Sequence, residues 1–328
     1  MSNPLFESTS TVDIGPALRG EHRATDQAIA RALADHGSFV AVGFDGATGI
    51  GALMAELASF FDLADGDKLA CATCNDVSAN KNVYRGFYPL PEQRKWSHNE
   101  TFDIGPEPAM SSPDVPGAES FREANVWPAE ELLPGWRSRM LAMLEFQREL
   151  SVSLMEATAR GLGHDAQRLL SPSYGRNATL RLLHYAPAPA EFAFKSYDDD
   201  EAEVIADGRR LMARSHVDTG LLALLWQDSG GLQMQGPDGE WRDVPVTSSG
   251  FSVHCGNLLE PLTDGVLTGT LHRVVGHNQH RRSVGFWLEP DFDTEIMEPE
   301  GVRPVSYAQH LVNQFPDRFE ASRAAATG

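Results

Sequence analysis

Residues His216–Val246 read HVDTGLLALLWQDSGGLQMQGPDGEWRDVPV, short apolar runs cut by Gly, Pro and Asp. That punctuation marks a succession of strands and turns. The stretch opens on His216-Val217-Asp218. In an extended strand, positions i and i+2 project to the same side, so His216 and Asp218 can grip one metal ion while Val217 points away. A further histidine, His272, lies in Leu271-His272-Arg273-Val274-Val275, whose β-branched residues favour another strand. His254, in the strand-like run before Cys255-Gly256, competes with it for the place of third ligand.

A His-x-Asp pair alone is a common chance occurrence, so its surroundings carry the reading. Two imidazoles and one carboxylate on one face of an octahedron leave three positions open, a donor set suited to non-haem Fe(II). A structural zinc site would be closed by four ligands. Past His272, the turn-prone segment Gly276–His280 leads into Arg281–Trp287, read as the returning strand of a hairpin. Period-two alternation puts Arg281, Ser283, Gly285 and Trp287 on one face and Arg282 on the other. Arg281 and Ser283 can then offer a guanidinium fork and a hydroxyl to a carboxylate beside the metal.

With these motifs in place, the chain resembles the isopenicillin N synthase-like family of Fe(II)/2-oxoglutarate-dependent oxygenases. The likeness rests on the His-x-Asp, on "LHRVV" around His272, on Arg281-x-Ser283, and on the strands from Asp218 to Val246. It extends to "SVHCGNLLEPLTDGVLTGTLHRV", and near the N-terminus to "ALADHGSFVAVGF", "FFDLADGDKLA", "VYRGFYPL" and "NETFDIG". The resemblance implies an α+β fold with a double-stranded β-helix, or jelly-roll, core flanked by helices. It implies Fe(II) held by His216, Asp218 and His272; His272 is preferred to His254 because Arg281-x-Ser283 follows it as in the family. It also implies 2-oxoglutarate bound through Arg281, Ser283 and Tyr185. Tyr185, in "LRLLHYAP", matches a tyrosine that many members use, whereas Leu183 stands where an asparagine is often found.

The implied reaction uses O2, releases succinate and CO2, and hydroxylates, desaturates or cyclises a small molecule, in specialised metabolism or amino-acid modification. Trp287, on the same face as Arg281, is a candidate wall of the substrate pocket, and Arg181 and Tyr84 or Arg85, in segments that approach the barrel mouth in relatives, are candidate substrate contacts. Two other readings remain open. One is an oxidase of the same fold that works without 2-oxoglutarate, Arg281 and Ser283 then holding the substrate's carboxylate. The other is a non-catalytic jelly-roll binding protein.

At 328 residues, with 41% hydrophobic content, the chain is expected to be one catalytic domain. Its parts would be a mainly helical region over 1–175, a jelly-roll core over 176–293 and a C-terminal helical segment over 294–328. Helices are expected over Thr25–His36, closed by Gly37, over Trp136–Arg160, ending at Gly161, and over Ser306–Phe315. A net charge of −19 opposes binding to nucleic acid or an anionic membrane. No apolar run reaches spanning length and Met1–Ile14 lacks a secretory pattern, so a cytoplasmic location is expected. Cys71-x-x-Cys74 has no second pair to complete a zinc site, and Cys255 reads as core. His277 and His280 read as solvent-facing turn residues, and His22, His36 and His310 as helix residues without partners. The run from Asp198 to Glu201 lies within an excursion, 190–213, expected to form a lid.

Overall fold

The computed structural model describes residues 10–90, 97–108, 115, 118–165, 169, 177–187, 204–205, 207–297 and 303–314. Its strands are β1 (Thr11–Asp13), β2 (Ser38–Val42), β3 (Gly86–Tyr88), β4 (Glu100–Ile104), β5 (Thr179–Tyr185), β6 (Arg210–His216), β7 (Leu222–Gln227), β8 (Leu232–Gln235), β9 (Trp241–Asp243), β10 (Phe251–Cys255), β11 (His272–Gly276) and β12 (Arg281–Leu288). They form an eight-stranded sheet, β1-β2-β10-β7-β12-β5-β4-β3, and a four-stranded sheet, β6-β11-β8-β9. Among the strand pairs described, β1–β2 is parallel and the others are antiparallel.

Alternation sends one set of side chains from each sheet into a shared interior. Leu183 and Tyr185 of β5 pack with Met212 and Ala213 of β6, Leu232 and Met234 of β8 and Val274 of β11. The sheets therefore face each other as a jelly roll. The outer face of the large sheet carries Phe39, Phe102, Leu180, Leu182, Phe251 and Phe286, all fully buried under helices. The helices are α1 (Gly15–Leu18), α2 (His22–His36), α3 (Ala47–Leu57), α4 (Asp65–Leu69) and α5 (Trp136–Leu162). Each large side chain so buried contributes roughly 1.5–3 kcal/mol. Farther along come α6 (Leu259–Leu262), the ribbon β13 (Glu295–Ile296) and β14 (Val305–Ser306), and α7 (Tyr307–Gln314). Among the described residues, no helix is long and apolar enough to cross a membrane.

Several sequence expectations change. The turn after β11 does not close a hairpin: β11 belongs to the small sheet, while β12 pairs with β5 and β7 of the large one. A Gly/Asn-rich turn reverses the chain but does not dictate which sheet the next strand joins. Gly161 does not end α5, which continues to Leu162 with Gly163 as its left-handed cap at φ 75°. Gly161 instead lets α5 approach α2, since a Cβ there would lie 2.2 Å from the Asp26 carbonyl oxygen. Gly37 does cap α2, at φ 68°. The N-terminal region supplies β1, β2, β3 and β4 to the eight-stranded sheet as well as helices. The C-terminal helix starts at Tyr307, and Phe315 lies outside the described residues. Asp198–Glu201 also lie outside them, while Arg210–Ala213, placed in the expected lid, open β6.

Candidate active site

Antiparallel pairing of β6 with β11 sets His216 directly opposite His272, with ring centres 4.3 Å apart. Register shifts along this pair mark β-bulges, which re-aim side chains where a strict period-two strand could not. Asp218 lies two residues beyond the end of β6, its carbonyl accepting the Asn257 N–H at 3.0 Å. Its Oδ1 is 3.8 Å from Nε2 of both His216 and His272. One ligand atom from each of the three residues falls within 4.8 Å of the others. The side chain of His216 is 45% exposed and that of His272 only 5%, so the cluster opens on the His216 side.

The tautomers are set by the backbone. His216 Nδ1 is 2.8 Å from the Arg214 carbonyl and His272 Nδ1 is 3.0 Å from the Thr270 carbonyl. A carbonyl only accepts, so each Nδ1 carries the hydrogen and each Nε2 keeps a free lone pair for a metal. Burial, with His216 alongside, pushes the His272 imidazole down to about 3, so it is neutral at physiological pH. Burial opposes the charge on Asp218, but His272, His254 and His216 around it hold its carboxyl well below the ordinary range. Two imidazoles with Nε2 turned inward and one carboxylate fit an open Fe(II) site. His254 is differently engaged: its Nε2 is 2.8 Å from Asp218 Oδ2. An ionised carboxylate only accepts, so this nitrogen carries a hydrogen and offers no lone pair to a metal.

The second group lies on β12. Arg281 pairs in register with Tyr185, and Ser283 with Leu183 and Gln227. Arg281 is 5% exposed, and burial pulls its pKa below the usual arginine value. Its Nη2 donates to Gln227 Oε1 at 2.8 Å, and its guanidinium carbon sits 5.0 Å from the Tyr185 ring centre. Nε and Nη1 have no hydrogen-bond partner among the described residues. Buried guanidinium hydrogens without acceptors are costly, so the site fits an incoming carboxylate. Ser283 Oγ donates to the Trp226 carbonyl at 2.7 Å, so donating to a carboxylate requires its hydroxyl to turn.

Tyr185 gains a partner invisible in the sequence. Asn99 Oδ1 accepts from Ser97 Oγ at 2.8 Å, which turns the Asn99 amide nitrogen toward a hydrogen bond with the Tyr185 hydroxyl. An asparagine from before β4 thus supplies a polar contact beside Leu183, which is itself buried among apolar neighbours. His184 faces the opposite way, 2.7 Å from Glu100 Oε1 and 2.8 Å from His280 Nδ1. His280, exposed in the turn, therefore does have a partner, as does His22, whose Nδ1 is 3.3 Å from Arg160. Arg282 turns outward to an ion pair with Asp62.

The remaining expected residues divide. Arg181 makes two 2.6 Å bonds to Asp103 and lies 5.3 Å from the Trp287 ring centre, both on the inner face. Gly285, opposite Arg181, leaves room for that ring, because a Cβ there would lie 2.5 Å from it. Tyr84 and Arg85 are instead buried in a supporting network. Tyr84 packs edge-on against Phe121, and Arg85 Nη1 donates to the Ile104 carbonyl and to Thr179 Oγ1, both at 3.1 Å. Thr179 Oγ1 in turn contacts Glu289 at 3.1 Å, and the Tyr307 hydroxyl lies 2.7 Å from Glu289 and 3.1 Å from the Thr219 carbonyl. That chain of contacts ends one residue from Asp218. The three cysteines are free, and Cys71 and Cys255 are buried.

The family model of the 2OG-Fe(II) oxygenase superfamily matches residues 177–290, which hold both groups. The chain is 30% identical over 260 residues to the 2-oxoglutarate-dependent dioxygenase citB of Monascus ruber, covering 74% of this chain and 71% of that one. It is 26% identical to the isopenicillin N synthase of Streptomyces clavuligerus over 92% of both chains. Among solved structures, a full-length Neurospora crassa protein in complex with alpha-KG and 5-formyluracil aligns with a TM-score of 0.72 and 25% identity, over 95% of this chain and 97% of that one.

Proposed function

Because the chain belongs to the 2OG-Fe(II) oxygenase superfamily, oxidoreductases that work with Fe(II), 2-oxoglutarate and O2, we propose that it oxidises a small molecule at a site made by His216, Asp218, His272, Arg281 and Tyr185. The observation that carries this reading is Arg281, buried on the inner face of the barrel with Nε and Nη1 lacking acceptors among the described residues. A dicarboxylic keto acid would give the guanidinium fork of Arg281 a carboxylate and leave its keto-acid end for a metal held by His216, Asp218 and His272. When bound, the iron and keto acid supply the oxidation of an unactivated C–H bond, with release of succinate and CO2.

The chain's own residues bind and orient. Nδ1 bonds to the Arg214 and Thr270 carbonyls hold the two imidazoles with Nε2 toward the ion. Arg281 and Ser283 hold the distal carboxylate, with Tyr185 braced by Asn99 beside them. Leu183, Met212, Leu232 and Met234 line the same interior and exclude water. Trp287 and the Arg181–Asp103 pair form the wall that meets substrate, while Arg85, stacked over the Tyr84 ring, acts from behind it by holding Thr179. Hydroxylation is the reaction we assign, with desaturation or ring closure as variants. The reading includes a single catalytic unit, supported by strands from both halves of the chain interleaving in one sheet. It also includes a cytoplasmic location, which cell fractionation would check. Thymine and 5-formyluracil, bound in the solved complexes of the Neurospora crassa protein, are sensible first substrates to assay.

The test is succinate formation from 2-oxoglutarate with Fe(II) and O2, measured with and without a panel of small molecules. Substrate-stimulated succinate is expected. Substrate oxidation with no succinate under any condition would transfer Arg281 to the substrate's own carboxylate and refute the keto-acid assignment.

A further inference from the structure

His254 sits at the end of β10, opposite Ala223 of β7 and beside Ser38 of β2. Its neighbour Cys255 turns toward the helices, into the large core cluster. Strand alternation therefore sends the His254 imidazole to the barrel interior. There it is fully buried, 4.6 Å from the His272 ring centre, with Nε2 2.8 Å from Asp218 Oδ2. Its other nitrogen, Nδ1, has no partner among the described residues.

We propose that His254 is a positioning residue for the metal-binding carboxylate: it ties up Oδ2 of Asp218 and presents Oδ1 alone to the ion. The inference rests on the iron site proposed above. A free carboxylate can rotate and offer either oxygen or both, and two-oxygen ligation would take one of the positions that cosubstrate and O2 require. The N–H of His254 removes that freedom. Oδ2 is engaged, and Oδ1 is the oxygen placed at 3.8 Å from both ligand nitrogens. Among the described residues nothing else accounts for an imidazole here, since an apolar side chain would fill this fully buried position without stranding Nδ1. Partners of ligating groups commonly tune a site in this way, and their loss typically weakens metal affinity by about 10–100-fold.

The test is titration of the metal-free full-length protein with Co(II), followed by its visible absorption, for wild type, His254→Leu and His254→Gln, with the metal-free melting temperature of each. The expected result is binding about 10–100-fold weaker in His254→Leu, at a metal-free melting temperature no lower than wild type. His254→Gln, which keeps an N–H donor, is expected to recover part of the loss. Wild-type affinity in His254→Leu would overturn the inference and leave the iron site standing. A loss shared equally by both variants, in step with a lowered melting temperature, would make His254 merely structural. If wild type itself binds no Co(II), the iron-site reading fails, and this inference with it.

Discussion

Replacing Arg281 with leucine separates an anion-binding role from a structural one. In the free protein the guanidinium donates to Gln227, and its Nε and Nη1 lie buried without acceptors among the described residues. Two charge-assisted hydrogen bonds to a carboxylate, at roughly 1.5–3 kcal/mol each, amount to about 3–6 kcal/mol. At about 1.4 kcal/mol per tenfold, Arg281→Leu is expected to weaken 2-oxoglutarate by about 10²–10⁴-fold. The variant removes unsatisfied buried polar atoms but takes the donor from buried Gln227 Oε1, so a stability loss of no more than about 1–3 kcal/mol is expected. Arg281→Lys keeps the charge but loses the planar fork, so an intermediate affinity is expected. The assay is anaerobic calorimetric titration of Mn(II)-loaded protein with 2-oxoglutarate, which needs no knowledge of the substrate. An affinity within twofold of wild type for Arg281→Leu, or a collapse of the fold in place of an affinity change, would refute the reasoning.

Gly285→Ala places a methyl group 2.5 Å from the Trp287 ring, so the indole must shift. Altered Trp fluorescence and a raised substrate KM are expected, and unchanged values for both would remove Trp287 from the pocket wall. Asp103→Asn removes the charge and one of the two acceptors that face Arg181, at a position where Asp103 is 1% exposed; a stability loss of about 3 kcal/mol is expected, and an unchanged denaturation midpoint would argue against it. Burial pushes the thiols of Cys71 and Cys255 up to about 11 and about 12. Both should stay protonated at pH 8, with thiolate fractions of about 10⁻³ and 10⁻⁴. Alkylation should therefore be slow in the native protein and accelerate as pH rises toward those values. Native labelling at pH 8 as fast as that of a free cysteine would contradict this.

Much of the candidate metal cluster is legible in the sequence because its rule is local. Two residues apart on a strand means one face, and His216, Asp218 and His272 do converge, although Asp218 lies just past β6. Parity likewise separates Arg281 from Arg282 and Tyr185 from His184. What stays hidden depends on which strand becomes whose neighbour. Asn99 reaches Tyr185 because β4 lies beside β5, and His254 reaches Asp218 because β10 lies beside β7. Neither adjacency is written in a local pattern. Gly161 misleads for a related reason: the same residue can stop a helix or admit a neighbouring one, and only the approach of α2 decides between them. The segment Gly276–His280 is a turn, as its composition implies, but its destination sheet is a tertiary choice.

The most direct measurement is anaerobic addition of Fe(II) and 2-oxoglutarate to the metal-free protein, recording the iron bound per chain and the visible charge-transfer absorption of an iron–keto-acid chelate. Wild type is expected to bind one iron and develop that absorption only when 2-oxoglutarate is present; Asp218→Ala, folded as judged by circular dichroism, should do neither. Absorption that persists undiminished in Asp218→Ala, or a wild-type protein that takes up no iron, would contradict the assignment of His216, Asp218 and His272 as the iron-binding residues.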